Sequence, residues 1–190
     1  MQQPPDKVRQ ILSAEQVARC LEDLASQIAN RWAKRKELAL VGVHKRGVPF
    51  SRRLADLLTT KYGKSVVLGT VDITQYRDDL FTLAEVPKLE GSDIGFDVED
   101  AVVILCDEVI YTGRTTRAAL EELLDFGRPA CVELAVLVNR PGRELPIHPD
   151  YIGAQVAEGD LKPDERVSVR FVESDGWDEV FIRKLPTQPV

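Results

Sequence analysis

The sequence predicts an α/β protein with a central, mostly parallel sheet flanked by helices, and three observations carry that expectation. Continuous apolar runs at 38–43 and 102–106, and a run at 131–138 broken only by Glu133, lack polar alternation, as strands covered on both faces do. Segments of helical periodicity separate them, and strands alternating with helices build parallel sheets through right-handed crossovers. Polar turns at 44–47, 107–116 and 139–143 each follow one of those strands. In such a sheet they gather beyond the strands' carboxyl ends, where ligands bind.

Composition is that of one folded domain, 1–190. Of the 190 residues, 44% are hydrophobic and 29% charged, which argues against disorder and against a membrane protein. No apolar run approaches the ~20 residues of a membrane span. The first residues show no charged-then-apolar signal pattern, so a cytoplasmic location is expected. Cys20, Cys106 and Cys131 are too few and too scattered for a disulfide framework or a zinc site. Cys106 lies in an apolar strand and reads as a small buried hydrophobe. A net charge of −6 gives no whole-molecule attraction for nucleic acid.

In chain order, residues 1–12 read as an arm leading into a short strand or turn. Ser13 with Gln16 reads as a capping box opening a helix, with Val17, Leu21, Leu24, Ala25 and Ile28 on one face. The strand at 38–43 leads into His44-Lys45-Arg46-Gly47, then a helix from Val48 to about Leu58. Two cations beside a glycine can receive an anion close to the backbone. A strand over 65–73 is followed by a polar stretch to about Glu90, and loops this long are often lids. Gly127 and Pro129 stop the helix that follows the central turn. Short strands are expected at 151–152, 167–172 and 180–182.

The stretch 102–116, Val-Val-Ile-Leu-Cys-Asp-Glu-Val-Ile-Tyr-Thr-Gly-Arg-Thr-Thr, organises the rest. Its strand is expected to end at Asp107 and Glu108. A hydroxyl-rich turn, Thr112-Gly113-Arg114-Thr115-Thr116, then opens a helix. Free backbone N–H groups, hydroxyls and the positive dipole end at such a terminus hold a phosphate. The two carboxylates can accept hydrogen bonds from neighbouring sugar hydroxyls. Because adjacent strand residues face opposite ways, a bend is needed for both to serve one ligand. The chemistry implied is recognition of a ribose 5-phosphate. The ordinary alternative is a strand-to-helix turn with surface acids and a Thr cap.

This stretch, together with LVGVHKRGVP (40–49), VDITQYRDDL (71–80) and FGRPACVELAVLVNRPGRELPIHPDYIG (126–153), resembles the type I phosphoribosyltransferases. Within them it is most similar to the PyrR family, pyrimidine-operon regulators that are also uracil phosphoribosyltransferases. The resemblance covers about residues 14–183. It implies the type I phosphoribosyltransferase fold, with a mobile flap over about 74–92 and a small hood built from the N-terminal arm and about 139–183. It further implies formation of UMP and pyrophosphate from uracil and phosphoribosyl diphosphate (PRPP), with Mg²⁺ carried by PRPP rather than held by dedicated protein ligands.

By the same resemblance, Asp107 and Glu108 meet the ribose, with Val109, Ile110, Tyr111 and residues 112–116 completing the nucleotide site. Lys45, Arg46 and Gly47 form the diphosphate loop, Arg77 reaches the diphosphate from the flap, and Val138, Asn139 and Arg140 read the base through backbone groups. The acidic pair is usually Asp-Asp in the relatives and is Asp-Glu here. An RNA surface for the pyrimidine leader mRNA would involve Arg31, Arg143 and His148. Glu22, Asp23, Gly142 and Ala154 stand where relatives tend to carry neutral or basic residues, and fewer cations mean weaker phosphate contacts. A homo-oligomer, dimer or larger, is expected. The competing readings are a nucleotide-sensing module without catalysis and a phosphoribosyltransferase for another base.

Overall fold

The computed structural model describes residues 7–73 and 91–185. Its core is a six-stranded sheet of β2 (Glu37–Val43), β3 (Ser65–Val71), β4 (Asp93–Ile94), β5 (Val102–Ile110), β6 (Cys131–Asn139) and β7 (Tyr151–Gln155). The order across the sheet is β4-β3-β2-β5-β6-β7, parallel throughout except for β4. The expected α/β architecture is therefore present, and the two-residue β4, too short to show an apolar pattern, is an addition to it.

Helices α1 (Ala14–Arg31) and α2 (Gly47–Tyr62) cover one face of the sheet and α3 (Arg114–Leu124) the other. The capping box that opens α1 is present: Gln16 N–H donates to Ser13 Oγ and Ser13 N–H to Gln16 Oε1. Val17, Leu24, Ala25 and Ile28 are wholly buried along its inner stripe, with Leu21 at 4% exposure. Each large apolar side chain so buried contributes about 1.5–3 kcal/mol.

A second, antiparallel sheet stands beyond the core's functional edge. It joins β1 (Lys7–Leu12), β9 (Glu179–Lys184) and β8 (Glu165–Arg170), in the order β1-β9-β8, with the short α4 (Val172–Asp175) leading into β9. This sheet supplies the hood. The strand at 151–155, within the span expected to form the hood, is instead the edge of the core sheet.

The flap expected over 74–92 falls almost wholly outside the described residues, as does Arg77. Its flanks are tied together: Gly91 N–H donates to the Asp72 carboxylate at 3.1 Å and Asp72 N–H to Ser92 Oγ at 2.9 Å.

At the opposite edge of the sheet, Glu133 is buried and takes three donors: Arg31 Nε, Trp32 Nε1 at 2.8 Å and the Tyr151 hydroxyl. Burial, reinforced by Glu133, pushes the Tyr151 hydroxyl above its ordinary pKa. Glu133→Gln turns one acceptor oxygen into a donor facing donors. The expected cost is about 1–3 kcal/mol, read as a lower urea midpoint at unchanged slope. An unchanged midpoint would show that the cluster adds nothing to stability.

Candidate active site

The turn between β5 and α3 is built to leave donors free. Gly113, at φ 93°, occupies a left-handed conformation that favours glycine, and it caps α3 with no side chain closing the helix. The first N–H groups of a helix have no partner within it. Here Arg114 N–H turns to Thr112 Oγ1 at 3.3 Å, and the cap leaves the next ones open. The Thr116 hydroxyl is buried and has no hydrogen-bond partner. The loop after β6 clasps the turn from outside: Glu144 and Leu145 N–H groups both donate to the Thr112 carbonyl at 3.0 Å. Arg114 Nε pairs with Glu144 at 2.8 Å, so its side chain braces the loop. A concave terminus with open N–H groups and an orphaned buried hydroxyl suits a phosphate.

The acidic pair does not end the strand, as the sequence led us to expect. β5 runs through Asp107 and Glu108 to Ile110, and its ladder to β6 takes in Asp107, Val109 and Ile110. The bend that a shared ligand requires appears as a break in side-chain alternation. Val103 and Leu105 pack in the α3-side core, and Cys106 on the other side. Strict alternation would send Val109 to the α3 side, yet it packs with Cys106 and lines the hood cavity beside Glu108, while Ile110 is buried on the α3 side. Asp107 is 5% exposed and its Oδ1 accepts the Glu108 N–H at 2.9 Å. Burial, and then the Glu108 carboxylate beside it, push the Asp107 carboxyl well above the usual range. Burial likewise raises the Cys106 thiol, which is wholly enclosed.

The loop at 44–47 meets this strand through two glycines. A side-chain carbon on Gly47 would lie 2.3 Å from the Cys106 carbonyl oxygen, and one on Gly42 2.7 Å from the Gly47 carbonyl. The α2 N-terminus is thus pressed directly onto the backbone just before Asp107. The His44–Lys45 peptide is cis, and His44 N–H donates to the Val71 carbonyl at 3.0 Å. Lys45 is exposed, whereas Arg46 is turned to Asp175 of α4 at 3.0 Å. Nearby Arg53 grips Glu173 and Asp178 at 2.6 and 2.7 Å and lies over the Phe171 ring. Gly42, Arg53 and Asp175 were not singled out from the sequence. Their roles depend on which elements touch, and no local motif announces that.

The loop after β6 is ordered around Tyr111. Arg140 lays its guanidinium 3.7 Å from the Tyr111 ring centroid, and its N–H donates to the Ile110 carbonyl at 3.1 Å. Arg143 donates to the Tyr111 carbonyl and, at 2.7 Å, to Asn139 Oδ1. Val138 is buried in the core, so only its backbone can meet a ligand. Between this edge and the hood lies a cavity of about 460 Å³ whose lining includes Arg46, Glu108, Val109 and three hood arginines. That volume suits a small-molecule site.

Comparison with known proteins follows the same lines. Residues 7–166 match the phosphoribosyl transferase domain family. The chain is 45% identical over 173 residues to the bifunctional protein PyrR of Pelotomaculum thermopropionicum, covering 91% of this chain and 94% of the relative. It is 45% identical over 170 residues to the bifunctional protein PyrR of Deinococcus radiodurans, covering 90% and 91%. The chain belongs to the phosphoribosyltransferase family, among the PyrR proteins. In fold it is similar to a hypoxanthine phosphoribosyltransferase of Trypanosoma cruzi, with a TM-score of 0.73 at 18% identity over 95% of this chain and 97% of that one. A Staphylococcus aureus hypoxanthine phosphoribosyltransferase gives 0.67 at 20% identity, covering 95% and 92%.

The acidic pair, the turn before α3, the 44–47 loop and the loop after β6 lie at one edge of the sheet. The residues assigned to RNA are not so gathered. Arg31 is at the Glu133 end of β6 and Arg143 at the Asn139 end. Six residues of strand put roughly 20 Å between them. His148 is exposed in the loop leading to β7.

Proposed function

We propose that the chain is a uracil phosphoribosyltransferase, forming UMP and pyrophosphate from uracil and PRPP, and that it senses UMP to regulate pyrimidine-operon mRNA. The observation that carries the enzyme reading is the uncapped α3 terminus, with its orphaned Thr116 hydroxyl, directly after a strand bearing two adjacent carboxylates. The PyrR relatives at 45% identity over most of both chains support the regulatory half.

On this reading the 5′-phosphate sits on the backbone of 113–116 and the ribose hydroxyls donate to Asp107 and Glu108. Lys45 and Arg46, with Arg77 from the segment outside the described residues, receive the diphosphate. Uracil lies against the backbone of 138–140, its plane set by the loop that Tyr111, Arg140 and Arg143 brace. The departing diphosphate leaves an electron-poor ribosyl centre, so the protein's task is to hold both reactants in line and to stabilise the leaving charge.

Among the described residues no group of three or more His, Cys, Asp or Glu converges to hold a metal. Mg²⁺ needs few protein ligands and keeps most of its waters. A pair of adjacent carboxylates, one of them held above its ordinary pKa by burial and then by the other, fits an ion that arrives with PRPP. Asp107 and Glu108 would be the residues nearest such an ion, and Mg²⁺ would supply positive charge that offsets the charge of the diphosphate.

Incubation with PRPP, Mg²⁺ and uracil is expected to yield UMP and pyrophosphate, with other bases run alongside. UMP binding without turnover would point to the sensing module. A gel shift with pyrimidine leader RNA is expected to strengthen with UMP. Because Arg31 and Arg143 lie far apart on one chain, that RNA surface would draw on more than one subunit, and light scattering should show a dimer or larger. No shift at micromolar protein would leave the enzyme alone.

A further inference from the structure

Three residues of the α2 end face the segment that joins β8 to β9, and they fall at helical spacing. Arg46, Phe50 and Arg53 stand at i, i+4 and i+7, a single stripe of a helix. Arg46 keeps that register as the N-cap: its backbone is right-handed helical and its carbonyl accepts the Phe50 N–H at 3.3 Å. Each of the three meets a partner in 171–178. Phe50 stacks on the buried Phe171 with ring centroids 6.5 Å apart. Arg53 lies over the same ring, 5.0 Å from its centroid.

The polar contacts repeat one construction twice. Asp175 accepts Arg46 Nη2 on one oxygen at 3.0 Å and the Phe171 N–H on the other at 3.1 Å. Asp178 accepts Arg53 Nη1 and Nη2 at 2.8 and 2.7 Å, and the Val172 N–H at 2.8 Å. The turn of α4 is thus folded around two aspartates that both reach α2. Arg53 adds a second fork, with Nε and Nη2 on the two oxygens of Glu173 at 2.7 and 2.6 Å. Its side chain is 17% exposed, so water competes little with these bonds. Forked guanidinium–carboxylate pairs are the strong kind. Arg53 holds the Glu173 carboxyl below the usual range. Burial by itself would raise the Asp178 carboxyl, yet the bonds from Arg53 bring it below that range too.

Arg46 is the looser member, with 40% of its side chain exposed. A long side chain loses rotamer freedom when a ligand fixes it, and one already held in place costs less to bind with. Asp175 holds Arg46, and the turn fastened by Arg53 holds Asp175. Arg53 is not among the residues lining the cavity, so whatever it does for a ligand must be relayed.

We propose that Arg53 is a positioning residue for the 44–47 loop: it fastens α4 onto α2, and α4 through Asp175 sets Arg46 before the ligand arrives. The proposal rests on the reading of that loop as the one that receives the diphosphate of PRPP.

A double-mutant cycle of Arg53→Gln and Asp175→Asn in the full chain tests it, with the exposed neighbour Arg52→Gln as control. The readouts are kcat, the KM for PRPP and for uracil, PRPP affinity by calorimetry without uracil, and the melting temperature. Arg53→Gln is expected to raise the KM for PRPP about fivefold or more and to weaken PRPP binding in step, while kcat and the KM for uracil change less than about twofold. Arg52→Gln should behave as wild type. Asp175→Asn alone should also raise the KM for PRPP, and the double variant should be no worse than the worse single one, because one relay is cut twice. Should Arg53→Gln not fold, Arg53→Lys carries the same comparison: an ammonium cannot fork to two carboxylates, so a smaller rise confined to PRPP is expected.

A lower melting temperature with an unchanged KM for PRPP would overturn the proposal and leave the clamp purely structural. Equal rises for PRPP and uracil would overturn it too, as general loosening of the site. Additive effects in the cycle would show that Arg53 does not act through Asp175. A wild-type protein that neither binds nor turns over PRPP would remove the diphosphate reading of the loop and this proposal with it. With wild-type turnover intact, a failed cycle removes this proposal alone.

Discussion

Asp107→Asn is expected to lower turnover at least tenfold, roughly 1.4 kcal/mol of transition-state stabilisation, and at the same time to raise the melting temperature at neutral pH. The two effects share one cause. Asp107 is buried next to Glu108, and its carboxyl is pushed up first by burial and then by that neighbour. The folded protein therefore holds this proton more tightly than the unfolded chain, whose aspartates titrate near about 3.9. Below that pH both states are protonated and the site costs nothing. As pH rises past it, the unfolded state ionises freely while the folded one cannot, and stability falls.

The amide of Asn keeps an oxygen to accept the Glu108 N–H and removes the charge. The stability gained by the variant should be largest at pH 7–8 and shrink toward pH 4, read by thermal melts across that range. A folded Asp107→Asn protein with normal kinetics would take Asp107 out of the site. A variant less stable than wild type at neutral pH would overturn the electrostatic account.

Gly47→Ala is expected to damage both stability and PRPP use. The added carbon would meet a backbone carbonyl in the central strand at 2.3 Å, with no flexible side chain to yield. Overpacking of this kind costs about 1–3 kcal/mol, and relief requires α2 to lift from β5. That movement carries Arg46 away from Glu108, so the KM for PRPP should rise several-fold more than the KM for uracil. Equal changes in both, or none, would show that the close contact is incidental to the diphosphate loop.

Much of this was legible in the chain itself. Most of the buried strands announced themselves through their apolar runs, α1 through its capping box, and the turn before α3 through Thr112-Gly113 at a strand-to-helix junction. The end of β5 was misjudged because charged residues usually mark a strand's limit. Here the ladder to β6 holds Asp107 in place despite the burial of its charge. The hood was legible only as short strands. Nothing local tells that the first described strand pairs with the last, or that alternate residues of β8 would set arginines against Arg183. Gly47 read as a turn residue and Gly42 as part of a strand, and only the packing of three backbone segments shows why no side chain fits at either.

The pairing of β1 with β9 also bears on how the molecule comes into being. Residues 7–12 leave the ribosome long before their partners at 179–184 are made. Synthesis at roughly 5–20 residues per second leaves several seconds in which β2, β5 and β6 can already assemble around their helices. Contacts of such long sequence separation form late in any case. The nascent chain thus passes through a stage with a finished core and no roof, and the cavity beneath the three-stranded sheet can be walled in only once residue 184 is in place.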